Sequence, residues 1–291
     1  MSVIETSAVA AWTGPFIEPE RDAAIAALES GRVLFFPQLA FVLREEEKRL
    51  LTPDLFSGRA KNISLDPSGA LKHAAGAEAD RALLQGMMQR FALNAASLIE
   101  GLFPRYAAKL ERARTSYRPV EIAGRNQSPI HDDTRLHVDA FPTRPMHGRR
   151  ILRLFSNVHP GATPRVWNVG EPFAEMAQKI LPKVKRPSAL AALVRAATFQ
   201  TRGVRSRYDD LMMGLHDQAK LDMEYQRATP KTEFAFPPGT TWLCYTDQVM
   251  HAALSGQYVL EQTFHLDIDA MAEPARAPIS VLERMTGRVL A

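Results

Sequence analysis

Residues 135–142 read "RLHVDAFP", Arg135 to Pro142. The run sets His137 and Asp139 two positions apart among apolar neighbours. On a strand successive side chains alternate faces, so an imidazole and a carboxylate at this spacing point the same way. A buried-looking strand that aims these two groups together is half of a metal site. The reading of the whole chain turns on a third ligand.

The stretch "TWLCYTDQVMHAALSG" supplies it, placing His251 just after an apolar strand and a turn. Two histidines and one carboxylate on one face of a metal form the facial triad of non-haem iron(II) oxygenases, which leaves positions open for a bidentate co-substrate and dioxygen. Zinc more often takes three histidines or a thiolate, and magnesium an all-oxygen set. The single cysteine, Cys244, excludes a cysteine-based zinc cluster and an internal disulfide framework, and fits a reducing compartment. A competing His-x-Asp pair, "HDD" at His131 to Asp133, lies in polar, turn-like surroundings and ranks second.

A keto-acid co-substrate needs a fixed cation for its far carboxylate, and arginine offers a bidentate fork. In "RRILRLFSN", Arg149, Ile151, Arg153, Phe155 and Asn157 share one face of a strand. An arginine within an apolar strand is costly unless paired. Arg153, flanked by leucines, is therefore assigned to the co-substrate, with Asn157 beside it. Arg149 and Arg150 read as surface residues.

The bulk composition is permissive. The chain has 291 residues, of which 46 % are hydrophobic and 23 % charged, ordinary for a globular protein. No apolar run approaches the roughly 20 residues that span a bilayer. The first residues, "MSVIETSAVAAWTGPFIEPERD", carry acids early and lack the pattern of a signal peptide. A net charge of +4 fits an anionic substrate or an acidic surface. The densest basic runs are Lys179 to Pro187 and Arg202 to Tyr208.

Along the chain, "EPERDAAIAALESG" reads as a helix and "GRVLFFPQ" as a buried strand. "EADRALLQGMMQRFALNAASLIEGLFPRYAAKLERAR" reads as two helices broken near Phe103 and Pro104. "TSYRPVEI", "RLHVDAFP", "RRILRLFSNVHP" and "RVWNVG" read as strands. "EPFAEMAQKILP", "PSALAALVRAATFQ" and "RYDDLMMGLHDQAKLDMEY" return to helical spacing. "KTEFAFPPGTTWLCYTDQVMHAAL" and "GQYVLEQTFHLDI" close the sheet, and a helix ends the chain. No linker, internal repeat, parallel βαβ alternation or phosphate-binding loop is visible. The expectation is one α+β domain spanning 1–291: a mainly helical part over about 1–115, a sheet core over about 116–270, a helical insertion over about 171–228, and a helix over about 277–291. His159, Trp242, Tyr245 and Cys244 read as turn or core residues.

The stretches "RLHVDAFPTRP", "RRILRLFSNVHP" and "FPPGTTWLCYTDQVMHAALSGQYVLEQTF" resemble the Kdo hydroxylase family, iron(II)/2-oxoglutarate-dependent dioxygenases that hydroxylate C3 of Kdo, the acidic eight-carbon sugar of the lipopolysaccharide inner core. The resemblance runs from about Tyr117 to Asp267. It implies a double-stranded β-helix, a jelly-roll core with helices packed outside. It implies Fe(II) on His137, Asp139 and His251, 2-oxoglutarate chelating that iron, O2 as oxidant and ascorbate as reductant. Many superfamily members anchor the co-substrate with a cation about ten residues after the distal histidine. Here "SGQYVLEQTF" has none, which again points to Arg153. A substrate rich in carboxylates and phosphates implies cations and amides at the mouth: Arg118, Arg144, and Gln127 with Asn126. The implied partner is Kdo-containing lipid A, met peripherally at the inner face of the cytoplasmic membrane, with neither nucleic acid nor an obligate protein partner. Two alternatives stay open: the same iron chemistry on a nucleobase or protein side chain, and a barrel that holds a metal or sugar without turnover.

Overall fold

The computed structural model describes residues 2–58, 60, 62–125, 127–184 and 204–291. Its elements run β1 (Ile4–Thr6), α1 (Glu18–Glu29), β2 (Val33–Phe36), β3 (Ile63–Leu65), β4 (Leu71–Lys72), α2 (Glu78–Leu102), β5 (Leu110–Arg118), β6 (Arg150–Asn157), β7 (Arg165–Gly170) and α3 (Phe173–Ile180). After these come α4 (Arg207–Leu221), α5 (Met223–Ala228), β8 (Lys231–Phe236), β9 (Thr241–Tyr245), β10 (His251–Ser255), β11 (Val259–Leu266) and α6 (Pro278–Thr286). The fold is mixed α+β, with an eight-stranded sheet in the order β1-β2-β9-β6-β11-β5-β3-β4 and a three-stranded sheet in the order β10-β7-β8.

Several elements depart from expectation. α2 stops at Leu102 where Pro104 cannot continue it, and a 3-10 turn over Pro104–Lys109 follows. The second helix expected there gives way at Leu110 to β5, whose last residues, Thr115 to Arg118, form the strand that was expected. Its Ala, Glu and Arg content favours a helix, but pairing to β11 on one edge and β3 on the other overrides propensity. The mainly helical part thus ends earlier than 115 and itself holds four short strands. One parallel unit also exists: β1 and β2 pair in parallel through α1. The Lys231-to-Leu254 run breaks at Gly239, whose φ of 77° suits a residue without a side chain. The segment "PSALAALVRAATFQ" lies outside the described residues.

The two sheets enclose an aromatic core. Phe155 and Trp242 from the large sheet meet Trp167 and Phe236 from the small one, with ring centroids 5.0 Å apart for Phe155–Trp167 and 4.1 Å for Phe236–Trp242. All four rings are buried, as are Tyr245 and Cys244. Asn157 ties the sheets together: its amide donates to the Phe236 carbonyl at 3.0 Å and accepts from the His159 N–H at 3.0 Å. The helices cover the outer faces, with α1 against β2 and β9 and α2 against β5 and β11. A cavity of about 640 Å³ opens between the sheets, lined by Phe155, Val259, Glu261 and Thr263 from one and by Trp167 and Ala253 from the other.

Candidate metal centre

His251 opens β10, at the end of the loop that leaves β9. His137 does not lie in a strand; that expectation is corrected. It sits in an extended segment joined to His251 by one reciprocal antiparallel bridge, His137 N–H to His251 O at 3.0 Å and His251 N–H to His137 O at 2.9 Å. Two residues on, the Asp139 N–H donates to the Thr246 carbonyl at 2.7 Å. The two backbones therefore hold each other at both residues, and His137 and Asp139 face the same site without a full strand.

The imidazoles are fixed as well as placed. His137 Nδ1 lies 2.7 Å from the Arg135 carbonyl and His251 Nδ1 2.8 Å from the Val249 carbonyl. A carbonyl only accepts, so each Nδ1 carries the proton and each Nε2 keeps a lone pair, the arrangement a metal-ligating histidine takes. Trp167 stacks on the His251 ring at 5.1 Å, and His216 meets His137 edge-on at 5.4 Å. Burial holds both histidines below their usual pKa, with His251 adding to the effect on His137, so both rings are neutral.

Burial works against a charge on Asp139, but the Arg153 guanidinium outweighs it and holds the carboxyl below its usual range. Arg153 Nη1 is 2.9 Å from Asp139 Oδ2, and that oxygen is buried with no aligned hydrogen bond. His137, Asp139 and His251 each offer one ligand atom, and these atoms lie within 4.8 Å of one another. They are the group of this kind found among the described residues. A neutral, tautomer-fixed pair of imidazoles beside an ionised carboxylate is a donor set that fits Fe(II).

Charge continues away from the triad. Arg153 Nε is 3.5 Å from Glu261 Oε1, and Arg118 binds the other oxygen of Glu261 at 2.7 Å and 3.1 Å. Arg118, Glu261, Arg153 and Asp139 thus form a chain of alternating sign, buried at Glu261 and partly buried at the other three. Arg165, which the sequence reading passed over, also lines the cavity and is buried. It gives one N–H to the Gly256 carbonyl at 2.6 Å and forms no ion pair among the described residues. Burial, and then Arg118, push its pKa down to about 9, the mark of a cation lacking an anion.

The remaining assignments divide. Arg118, Arg144 and Arg153 line the cavity; Gln127 and Asn157 are not among its lining residues, and Asn126 lies outside the described residues. Asn157 as a co-substrate contact is corrected, because its amide is spent on backbone. Arg150 as a surface residue is also corrected: it is fully buried, and its Nε binds Asp247 at 2.8 Å. Arg149 is half-buried and pairs with Glu111 and Asp267. The second-ranked His131 binds the Ser128 hydroxyl at 2.7 Å instead of joining a triad. Glu261 is likewise absent from the sequence expectations, although an acid inside the apolar "VLEQTF" is a signal; Arg165, opening "RVWNVG", gives none.

This donor set, at a cavity between two sheets, is that of the non-haem iron oxygenases. Comparison narrows the class. The family model described as 3-deoxy-D-manno-oct-2-ulosonic acid (Kdo) hydroxylase matches residues 11–289, and the chain belongs to that family. It is similar to the solved Kdo hydroxylase KdoO, a non-haem Fe(II) α-ketoglutarate-dependent dioxygenase. The cobalt(II) complex shares 46 % identity over 99 % of this chain and 97 % of that one, with a TM-score of 0.96. The complexes of KdoO with α-ketoglutarate and Fe(III), and with succinate and Fe(III), share 45 % and 46 % identity over the same coverage, each with a TM-score of 0.95. No match was found among curated proteins.

Proposed function

We propose that this chain is an iron(II)/2-oxoglutarate-dependent dioxygenase that hydroxylates C3 of Kdo in Kdo-lipid A, built as a single domain on a double-stranded β-helix. The observation that carries it is the convergence of two Nε2 lone pairs and one ionised carboxylate inside a cation-lined cavity. The two facing sheets with their antiparallel strands support the jelly-roll reading.

His137, Asp139 and His251 would hold the iron, which with 2-oxoglutarate and O2 supplies oxidative decarboxylation to succinate and insertion of one oxygen into a C–H bond; ascorbate would keep the iron reduced. The chain's own residues do the rest. Val249 and Arg135 carbonyls keep both ring protons on Nδ1, so no proton competes for the ligating nitrogens. Arg153 faces the site as the candidate anchor for the co-substrate, and its charge is already shared between Asp139 and Glu261. Arg165 is a buried cation of the cavity whose charge is not so shared among the described residues, which makes it a second candidate for the far carboxylate. Phe155, Trp167 and Phe141 exclude water around the reacting atoms. Arg118 and Arg144 would meet the anionic sugar at the mouth.

No helix among the described residues is long and apolar enough to cross a membrane. Contact with a lipid-anchored substrate would therefore be peripheral, at the inner face of the cytoplasmic membrane, aided by the positive net charge. The test is incubation with Fe(II), 2-oxoglutarate, O2 and Kdo-lipid A. One succinate is expected per Kdo that gains one oxygen, located at C3 by fragmentation. Succinate formation stimulated by methylated nucleic acid or a protein, and not by Kdo-lipid A, contradicts the reading.

A further inference from the structure

β11 presents Glu261, Thr263 and His265 to the cavity at alternate positions. Glu261 is taken up by Arg118 and Arg153. His265 is different. Its residue is 1 % exposed, and its Nδ1 is buried with no hydrogen-bond partner. Neither ring nitrogen bonds to any described residue; Phe141, two residues beyond Asp139, meets the ring edge-on at 6.1 Å. Buried polar groups in native structures are almost always satisfied, so an orphaned imidazole that faces a cavity is a place kept for a ligand.

The surroundings define that ligand. Burial, with Arg144 and Arg149 beside the ring, pushes the pKa of His265 down to about 3, so the imidazole is neutral. A neutral imidazole carries one N–H and one lone pair, the complement of a hydroxyl, which both donates and accepts. Arg144 lines the same wall with Nη2 held 2.8 Å from Glu111, and offers positive charge to an acid group close by. The Thr263 hydroxyl lies one step nearer the Arg153 end of the strand, since Thr263 is in register with Arg153.

We propose that His265 is a substrate-specificity residue: its neutral imidazole hydrogen-bonds a ring or side-arm hydroxyl of the sugar acid, away from the carbon that reacts, and so fixes which C–H faces the metal. This rests on the reading of the site as a Kdo-lipid hydroxylase. It assigns no role to His265 in holding metal or 2-oxoglutarate.

The experiment titrates Kdo-lipid A in mixed micelles into the anaerobic protein loaded with Fe(II) and 2-oxoglutarate, by calorimetry, for wild type, His265→Leu and His265→Gln. Hydroxylated product per succinate is then measured in air. Loss of one buried hydrogen bond predicts about a tenfold weaker Kd in His265→Leu, and less product per succinate as the sugar sits loosely. His265→Gln, which restores a donor and an acceptor, recovers most of both. The visible band of the Fe(II)/2-oxoglutarate complex keeps its intensity in each variant. If His265→Leu folds poorly, His265→Asn, polar but too short to reach, carries the same expectation. Unchanged Kd and coupling in these variants, beside an active wild type, overturn the inference alone. A wild type that binds no Kdo-lipid A overturns the functional reading and this inference with it.

Discussion

Asp139 answers to two partners at once. Its Oδ2 faces Arg153 at 2.9 Å, while Oδ1 lies 4.0 Å from His137 Nε2. Asp139→Asn keeps the shape but removes the charge that both a metal and Arg153 require. Iron binding is expected to vanish, and urea melts of the metal-free protein should lose about 1–3 kcal/mol, as for a buried charged group deprived of its partner. Arg165→Met should raise KM for 2-oxoglutarate at least about tenfold, by loss of a charge-assisted bond, without changing the affinity for iron alone. The histidines set a pH dependence. The pKa of His265 falls from 6.5 to about 3 in the folded chain, and those of His137 and His251 are also lowered. The unfolded chain therefore takes up protons first as pH drops. The stability present above about pH 6.5 should decline steadily below it, and the decline should be shallower in His265→Leu. Thermal melts of metal-free protein between about pH 7.5 and about pH 4 check the slope.

The elements explain why so much of this was visible beforehand. A His-x-Asp pair needs only an extended backbone, so the common aim of His137 and Asp139 survived although the strand itself did not form. The distal His251 was legible because it follows an apolar run, and β9 and β10 are apolar since the sheets bury them. The first half of β5 was not legible: "LERAR" has helical composition, and only its sheet neighbours make it a strand, whereas "TSYR" reads as one on its own. Nor was the buried Arg150, because its partner Asp247 lies far along the chain in the β9–β10 loop. That pair supports the site. Arg150 lies over the Tyr245 ring at 3.7 Å, and the residue between Tyr245 and Asp247 is the Thr246 whose carbonyl holds Asp139. Asp247→Ala strands a buried guanidinium and should cost about 3–5 kcal/mol in urea melts, whereas Arg150→Met with Asp247→Leu should recover much of that loss. A single variant no less stable than the double would contradict this account of the loop.

At the scale of the molecule, two sheets and their covering helices bring three candidate ligands from two separate stretches of chain to one cavity. The ligands meet only in the folded state, so anything that binds them together stabilises that state by mass action. The central claim is this convergence on iron with room for a keto acid. Its most direct measurement is an anaerobic optical titration with Fe(II) and then 2-oxoglutarate. The account predicts a visible charge-transfer band that requires both additions, saturates at one iron per chain and is absent in His137→Ala. A folded wild type that shows no band, or a His137→Ala variant that keeps it, would contradict the account.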